Sequence, residues 1–112
     1  MATYLIQIAF TAESFARLVE TPENRFAAVI PLVERLGGRF VGSWMSFGEY
    51  DSVAVVEMPD EVAMKGFSMS VMAGGGARHL HVTPLMSFER GVEAMRVAQG
   101  IAYRAPGTAA SE

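Results

Sequence analysis

The stretch from Arg39 to Met58 constrains the fold most, because its pattern is typical of two strands joined by a tight turn. The turn is Gly48-Glu49-Tyr50-Asp51, and residues 39–47 and 52–58 flank it. The second of these runs is rich in β-branched and apolar residues, which is typical of a strand buried on both faces. We therefore expect residues 52–58 to lie in the middle of a sheet.

Two more stretches alternate as strands do, residues 3–10 and 77–86, and Pro84 favours an edge position for the second. Thr21-Pro22-Glu23 predicts the start of a long helix that ends at Gly37-Gly38 and is kinked at Pro31. Residues 11–14 indicate only a short helical turn. Further helices are predicted over residues 61–73 and 88–99.

This order, β-α-β-β-α-β with a C-terminal helix, predicts an α+β fold with a four-stranded antiparallel sheet and helices on one face. We expect one domain over residues 1–100 and a flexible tail over residues 101–112. The other sheet face is left without helices. It is predicted to carry Leu5, Gln7, His79, His81 and Thr83, and we expect it to be covered in a homodimer or higher oligomer.

Composition limits the partners. The chain of 112 residues is 51% hydrophobic, which supports self-association, and no apolar run is long enough to span a membrane. Its net charge is −3 with scattered arginines, which argues against nucleic acid. With no cysteine and no signal-peptide pattern, we expect a cytoplasmic protein.

The turn and the residues after it resemble the signature of the GYD-domain family: Gly48-Glu49-Tyr50-Asp51 after a strand, then Glu57 and Pro59-Asp60. Phe10-Thr11, Pro22-Glu23-Asn24-Arg25 and Leu36-Gly37-Gly38 also stand where such sequences place similar residues. The resemblance covers about residues 3 to 90. It implies a small ferredoxin-like protein similar to the dimeric α+β-barrel superfamily, and it implies no catalytic residues.

Seven side chains are candidates for binding a small ligand. They are Arg25, Trp44, Glu49, Tyr50, Asp51, His79 and His81. For Glu49, Tyr50 and Asp51, a structural role in the turn is favoured over a role at the entrance of a ligand pocket, with Asp51 accepting backbone hydrogen bonds. Trp44 suits either an aromatic ligand or the core. Arg25 opposes the helix dipole, and a salt bridge to Asp51 or Asp60 is favoured over an anionic ligand.

His79 and His81 lie on one strand face, about 7 Å apart. Packing in a subunit interface is favoured over metal binding, because no third ligand is visible in the sequence. We therefore expect no metal and no cofactor.

Three functions remain open. The first is an oligomeric module that binds a small apolar or aromatic molecule between sheet faces. The second, allowed by analogy with the superfamily, is a cofactor-independent oxygenase or isomerase that uses His79, His81, Tyr50 or Asp51. The third is a purely structural or regulatory oligomer. Whether the protein is an enzyme is left undecided.

Overall fold

The computed structural model of the protein describes residues 1–107. Its elements are β1 (Ala2–Phe10), α1 (Ala12–Glu20), α2 (Phe26–Arg35), β2 (Arg39–Met45), β3 (Ser52–Met58), α3 (Glu61–Ala73), β4 (Ala77–Leu85) and α4 (Phe88–Gln99). The tail predicted over residues 101–112 lies partly outside the described residues and stays a prediction.

The four strands form one antiparallel sheet in the order β2-β3-β1-β4. This order and the helices confirm the predicted α+β, ferredoxin-like fold. As predicted, β3 lies inside the sheet and β4, which contains Pro84, lies at its edge.

The core lies between the sheet and the helices α2 and α3. Alternate residues of β1 and β3 are buried there, and Val33 of α2 packs among them with Met64 and Phe67 of α3. Each fully buried side chain of this kind contributes about 1.5–3 kcal/mol, so the period-two pattern of the strands decides which sheet face the helices cover.

The opposite face of the sheet, called the open face below, has no helical cover. On β3 the residues Ser52, Ala54, Val56 and Met58 are buried, whereas Val53, Val55 and Glu57 on the open face are only partly buried. The prediction that β3 is buried on both faces is therefore wrong for the single chain. The apolar residues of β3 on this second face belong to a surface that the single chain leaves uncovered.

The helix boundaries near residue 21 also differ from the prediction. The Thr11 hydroxyl accepts a hydrogen bond from the Ser14 amide and starts a full helix, α1, where only a short turn was expected. Thr21 ends α1, since its amide donates to the Arg17 carbonyl oxygen at 2.8 Å, and Pro22 lacks the N–H that a further turn would need.

The next helix, α2, begins at Phe26 and not at Thr21. The Asn24 side chain accepts a hydrogen bond from the Phe26 amide at 3.1 Å. The helix begins four residues later than Pro22, the first helical position predicted from Thr21-Pro22-Glu23. The helix runs without interruption through Pro31.

The last helix, α4, matches its predicted bounds and begins where the Ser87 hydroxyl accepts a hydrogen bond from the Arg90 amide at 3.1 Å. None of its residues is buried. Across residues 1–107, no helix combines the length and the apolar character needed to cross a membrane.

Candidate functional site

The turn between β2 and β3 is closed by its own backbone and by one serine. Gly48 has φ +94°, a left-handed conformation that glycine adopts without strain. The Ser46 amide donates to the Asp51 carbonyl oxygen at 2.9 Å, and the Ser46 hydroxyl donates to the Tyr50 carbonyl oxygen at 2.8 Å. These bonds fix the direction in which Tyr50 and Asp51 leave the turn.

Asp51 ties this turn to β1. Its carboxylate Oδ2 accepts a hydrogen bond from the Phe10 amide at 2.8 Å, and its own amide donates to the Ile8 carbonyl oxygen at 2.8 Å. The bond to Phe10 lies where the pairing of β1 with β4 shifts register, between Ala9 and Phe10. The carboxylate thus satisfies an amide at an irregular point of the strand, which is a structural role.

Tyr50 directs its ring toward the histidines of the edge strand β4. The ring centroids of Tyr50 and His79 are 5.7 Å apart with an interplanar angle of 26°, and those of Tyr50 and His81 are 6.3 Å apart at 45°. These three residues form a ring cluster on the open face. Among residues 1–107, no hydrogen bond or ion pair orients either imidazole.

Trp44 lies on the same face, near its other edge. Across the sheet, Trp44 of β2 is followed by Val53, Gln7 and His81 in the same row. Trp44 and the ring cluster are therefore separated by three strand spacings, or about 14 Å. The indole lies over Gly42, where a Cβ atom would come within 2.9 Å of it. With 58% of its surface exposed, Trp44 is not a core residue of the single chain.

An ion pair lies at the far end of the open face. The Arg39 Nε donates to the Glu57 Oε1 at 2.8 Å, directly across β2 and β3. This hydrogen bond lowers the pKa of Glu57 below its ordinary value. The pair borders the apolar middle of the face, which Leu5, Val53 and Val55 form.

Two of the predicted site residues are not part of this face cluster. Glu49 is exposed in the turn, and Arg25 lies on the helix side of the sheet. Arg25 pairs with Glu23 at 3.6 Å, so the expected intramolecular salt bridge is confirmed, with Glu23 as the partner in place of Asp51 or Asp60. The Asp60 carboxylate accepts a hydrogen bond from the Ala63 amide at the start of α3.

A cavity of about 920 Å³ on the helix side was not predicted from the sequence. Its apolar lining comes from β1, α2 and α3, including Phe10, Val29 and Phe67, and Arg17 and Arg25 lie among its polar residues. Its volume lies in the range of small-molecule sites. It arises from the spacing between helices, to which sequence periodicity is insensitive.

A metal is not favoured by the surroundings of the histidines. Within residues 1–107, no three histidine, aspartate or glutamate side chains are grouped so that they could hold a metal ion. The ring cluster offers flat π-faces and polar ring edges, which suit stacking on an aromatic molecule.

Three solved structures with low sequence identity are similar to this chain, and one of them, TTHA0845, has a TM-score above 0.5. TTHA0845 from Thermus thermophilus has a TM-score of 0.51 and 16% identity, covering 78% of this chain and 95% of that chain. FFRP-DM1 has a TM-score of 0.49 and 16% identity, covering 77% and 100%. The hypothetical protein PHS023 from Pyrococcus horikoshii has 0.47 and 16%, covering 78% and 92%.

A search of the curated proteins finds no match. The family model of the GYD domain matches residues 4–95, from β1 into α4. This span contains the turn, Glu57, Asp60 and the glycines after α2. Because the match covers most of the chain, the protein belongs to the GYD-domain family.

Proposed function

We propose that the protein is a homo-oligomeric module that holds a small apolar or aromatic molecule against its open face. One observation carries the proposal: the face left without helices presents Leu5, Val53 and Val55 between Trp44 and the ring cluster. A sheet face of this kind is usually packed against another layer at a distance of about 10 Å.

A second copy of the chain fits that need. Two open faces related by a two-fold axis are self-complementary, so each apolar centre covers the other. Trp44 of one copy and the ring cluster of the other would then both line the space between the sheets. Rings at its borders favour a flat, apolar ligand.

Binding is favoured over catalysis by the surroundings of the imidazoles. Catalytic histidines are normally held by a second group that fixes the tautomer and the direction of proton transfer. In the part of the chain that the structure describes, the imidazoles of His79 and His81 lie beside the Tyr50 ring and make no hydrogen bond or ion pair.

The interface is tested with one substitution in the open face and a matched control. Val55→Glu places a charge in the centre of the face and should shift the protein toward the monomer in sedimentation equilibrium. Val62→Glu makes the same change on α3, where Val62 is 74% exposed, and should leave the mass unchanged. Equal masses for all three proteins, each folded by circular dichroism, would reject the open face as the interface.

The ligand is tested through Trp44, the single tryptophan of the chain. Naphthol, a flat aromatic alcohol, should quench the Trp44 emission in a saturable way, whereas the aliphatic cyclohexanol should not. Tyr50→Leu should weaken the naphthol effect by removing the stacked ring.

The same titration separates the two possible ligand positions. Naphthol bound in the helix-side cavity would leave the Trp44 emission unchanged, and its stabilisation of the protein against heat would be lost in Ser70→Trp, which narrows that cavity. This result would contradict a ligand on the open face.

A further inference from the structure

The helix α4 has an apolar stripe without a partner in its own chain. Phe88, Val92 and Met95 follow each other at the spacing i, i+4, i+7 and therefore share one side of the helix. Their exposed fractions are 87%, 40% and 60%. These three residues are called the α4 stripe below.

An isolated helix of this length is marginal in water. Helices shorter than about 12–15 residues rarely persist without tertiary packing, and α4 has 12 residues of which none is buried. Its Ser87 cap contributes only about 1 kcal/mol. The helix therefore needs a surface to pack against.

The single chain exposes more surface than a compact protein of its size. Its accessible surface is 8200 Å², whereas a compact monomer of 12.1 kDa exposes about 6,000 Å². Its radius of gyration is 18.9 Å, against about 13 Å for a compact domain of this length. The helices α1 and α4, neither of which has a buried residue, and the exposed residues 100–107 contribute to this excess of about 2,000 Å². Packing of α4 against a partner would remove part of it.

The α4 stripe follows the open face closely along the chain. Leu85, the last residue of β4, pairs with Thr3 on that face, and Met86 follows with 65% of its surface exposed. The stripe begins two residues later, at Phe88. A second copy that covers the open face would therefore lie within reach of the stripe.

We propose that α4 is an arm that packs its stripe against a second copy of the chain and so extends the interface of the open face. The inference rests on the proposed self-association and adds to it a separate element, residues 86–99.

A membrane surface fits the helix less well. Interfacial helices carry an excess of lysine and arginine on their polar side. The polar residues of α4 balance two acids, Glu89 and Glu93, against Arg90 and Arg96, and the Arg90 guanidinium lies 3.3 Å from the Glu93 carboxylate. The net charge of the helix gives no attraction to anionic lipid.

A matched pair of substitutions tests the arm. Met95→Asp places a charge in the stripe, whereas Val97→Asp places the same charge on the opposite side, at a similar exposure of 65%. Met95→Asp should weaken self-association by about tenfold or more, and Val97→Asp should leave it within about twofold.

Because the sequence contains no cysteine, a single introduced cysteine can carry a label that reports whether the arm lies on a second copy. A Trp44→Phe, Val97→Cys protein, labelled with dansyl on the side of α4 opposite the stripe, is mixed with the unmodified chain. Energy transfer from the Trp44 donor to dansyl can then occur only between copies. We expect transfer, and we expect its loss when Met95→Asp is added to the labelled protein.

The outcomes separate the two proposals. An unmodified chain that is monomeric in sedimentation overturns both. An oligomer that Met95→Asp does not weaken, without transfer between copies, overturns the arm alone. Binding of the full chain to phosphatidylglycerol vesicles that is lost in Met95→Asp, with self-association unchanged, also overturns it.

Discussion

Asp51 illustrates how a residue that resembles a binding group can belong to the scaffold. Its carboxylate accepts the Phe10 amide, 41 residues away in the chain, and its amide binds the Ile8 carbonyl oxygen. Asp60 caps α3 and Glu57 pairs with Arg39. These three acids of the family signature therefore fix backbone and strand geometry, which explains why the signature indicates a fold better than a reaction.

Replacing Asp51 should therefore lower stability. Asp51→Ala leaves the Phe10 amide without its acceptor and should lower the free energy of unfolding by about 1–2 kcal/mol, measured by urea denaturation. Glu49→Ala, in the same turn but exposed, is the control and should have little effect. An unchanged midpoint for Asp51→Ala, with loss of naphthol binding only, would instead make Asp51 a ligand residue.

Two buried serines give opposite predictions. Ser52 is 3% exposed, and within residues 1–107 its Oγ has no hydrogen-bond partner, whereas the Ser68 Oγ donates to the Lys65 carbonyl oxygen at 2.9 Å. Ser52→Ala should raise the free energy of unfolding by about 1 kcal/mol, since it removes an unsatisfied buried group. Ser68→Ala should not stabilise the protein. Destabilisation by Ser52→Ala in thermal melts would contradict this account.

Sequence reasoning at this scale has a clear limit. The acceptor role of Asp51 follows from residue type, but its partner Phe10 depends on how β1 passes the turn. The sequence predicts either the core or a ligand site for Trp44, because the register of β2 shifts between Phe40 and Gly42. This shift puts Phe40 and Trp44 on opposite faces of the sheet although they are four residues apart. The ring cluster likewise needs β3 and β4 to flank β1.

The boundary between α1 and α2 marks the limit of sequence reasoning for whole elements. Thr21-Pro22-Glu23 has the residue types of a helix start, yet Thr11 already starts α1, and α2 begins after Asn24, whose side chain accepts a hydrogen bond from the Phe26 amide. Which of these residues starts a helix depends on whether the helix that follows can pack against the sheet, and this is a property of the tertiary structure. Where one cap stood alone, as at Asp60 and Ser87, the predicted start was right.

The connection from α2 to β2 depends on two glycines with different constraints. Gly37 has φ +82°, and a Cβ atom on Gly38 would lie 2.5 Å from the Glu57 carbonyl oxygen of β3. Gly38→Ala must therefore push β2 away from β3, and we expect a loss of about 2 kcal/mol or more in unfolding experiments. Gly66→Ala, which has open space around it, is the control and should be neutral or stabilising.

The pairing of β2 with β3 predicts a pH dependence. Because the hydrogen bond from Arg39 lowers the pKa of Glu57 from 4.5, the ionised pair stabilises the fold fully above about pH 4.5, and the stabilisation is lost as the pH falls through the lowered value. The stability difference between the unmodified protein and Glu57→Gln should thus be constant near neutral pH and shrink in acid. Parallel curves down to acid would contradict the role of the pair.

At the scale of the molecule, the element order and the bare sheet face were predictable from the sequence. Alternation in β1, β3 and β4 defines two faces, and two crossover connections put the helices on one of them. The helix-side cavity and the lack of packing of α4 on its own chain were not predictable, because both depend on distances between elements. In the sequence, only the high content of apolar residues indicates that some apolar surface is left uncovered.

The mass of the unmodified protein in solution decides whether a second copy covers the open face. Sedimentation equilibrium at micromolar concentration should give at least twice the chain mass of 12.1 kDa. We expect this result because the apolar centre of the face has no covering layer in its own chain. A folded, stable species of 12.1 kDa under these conditions would show that the open face stays uncovered.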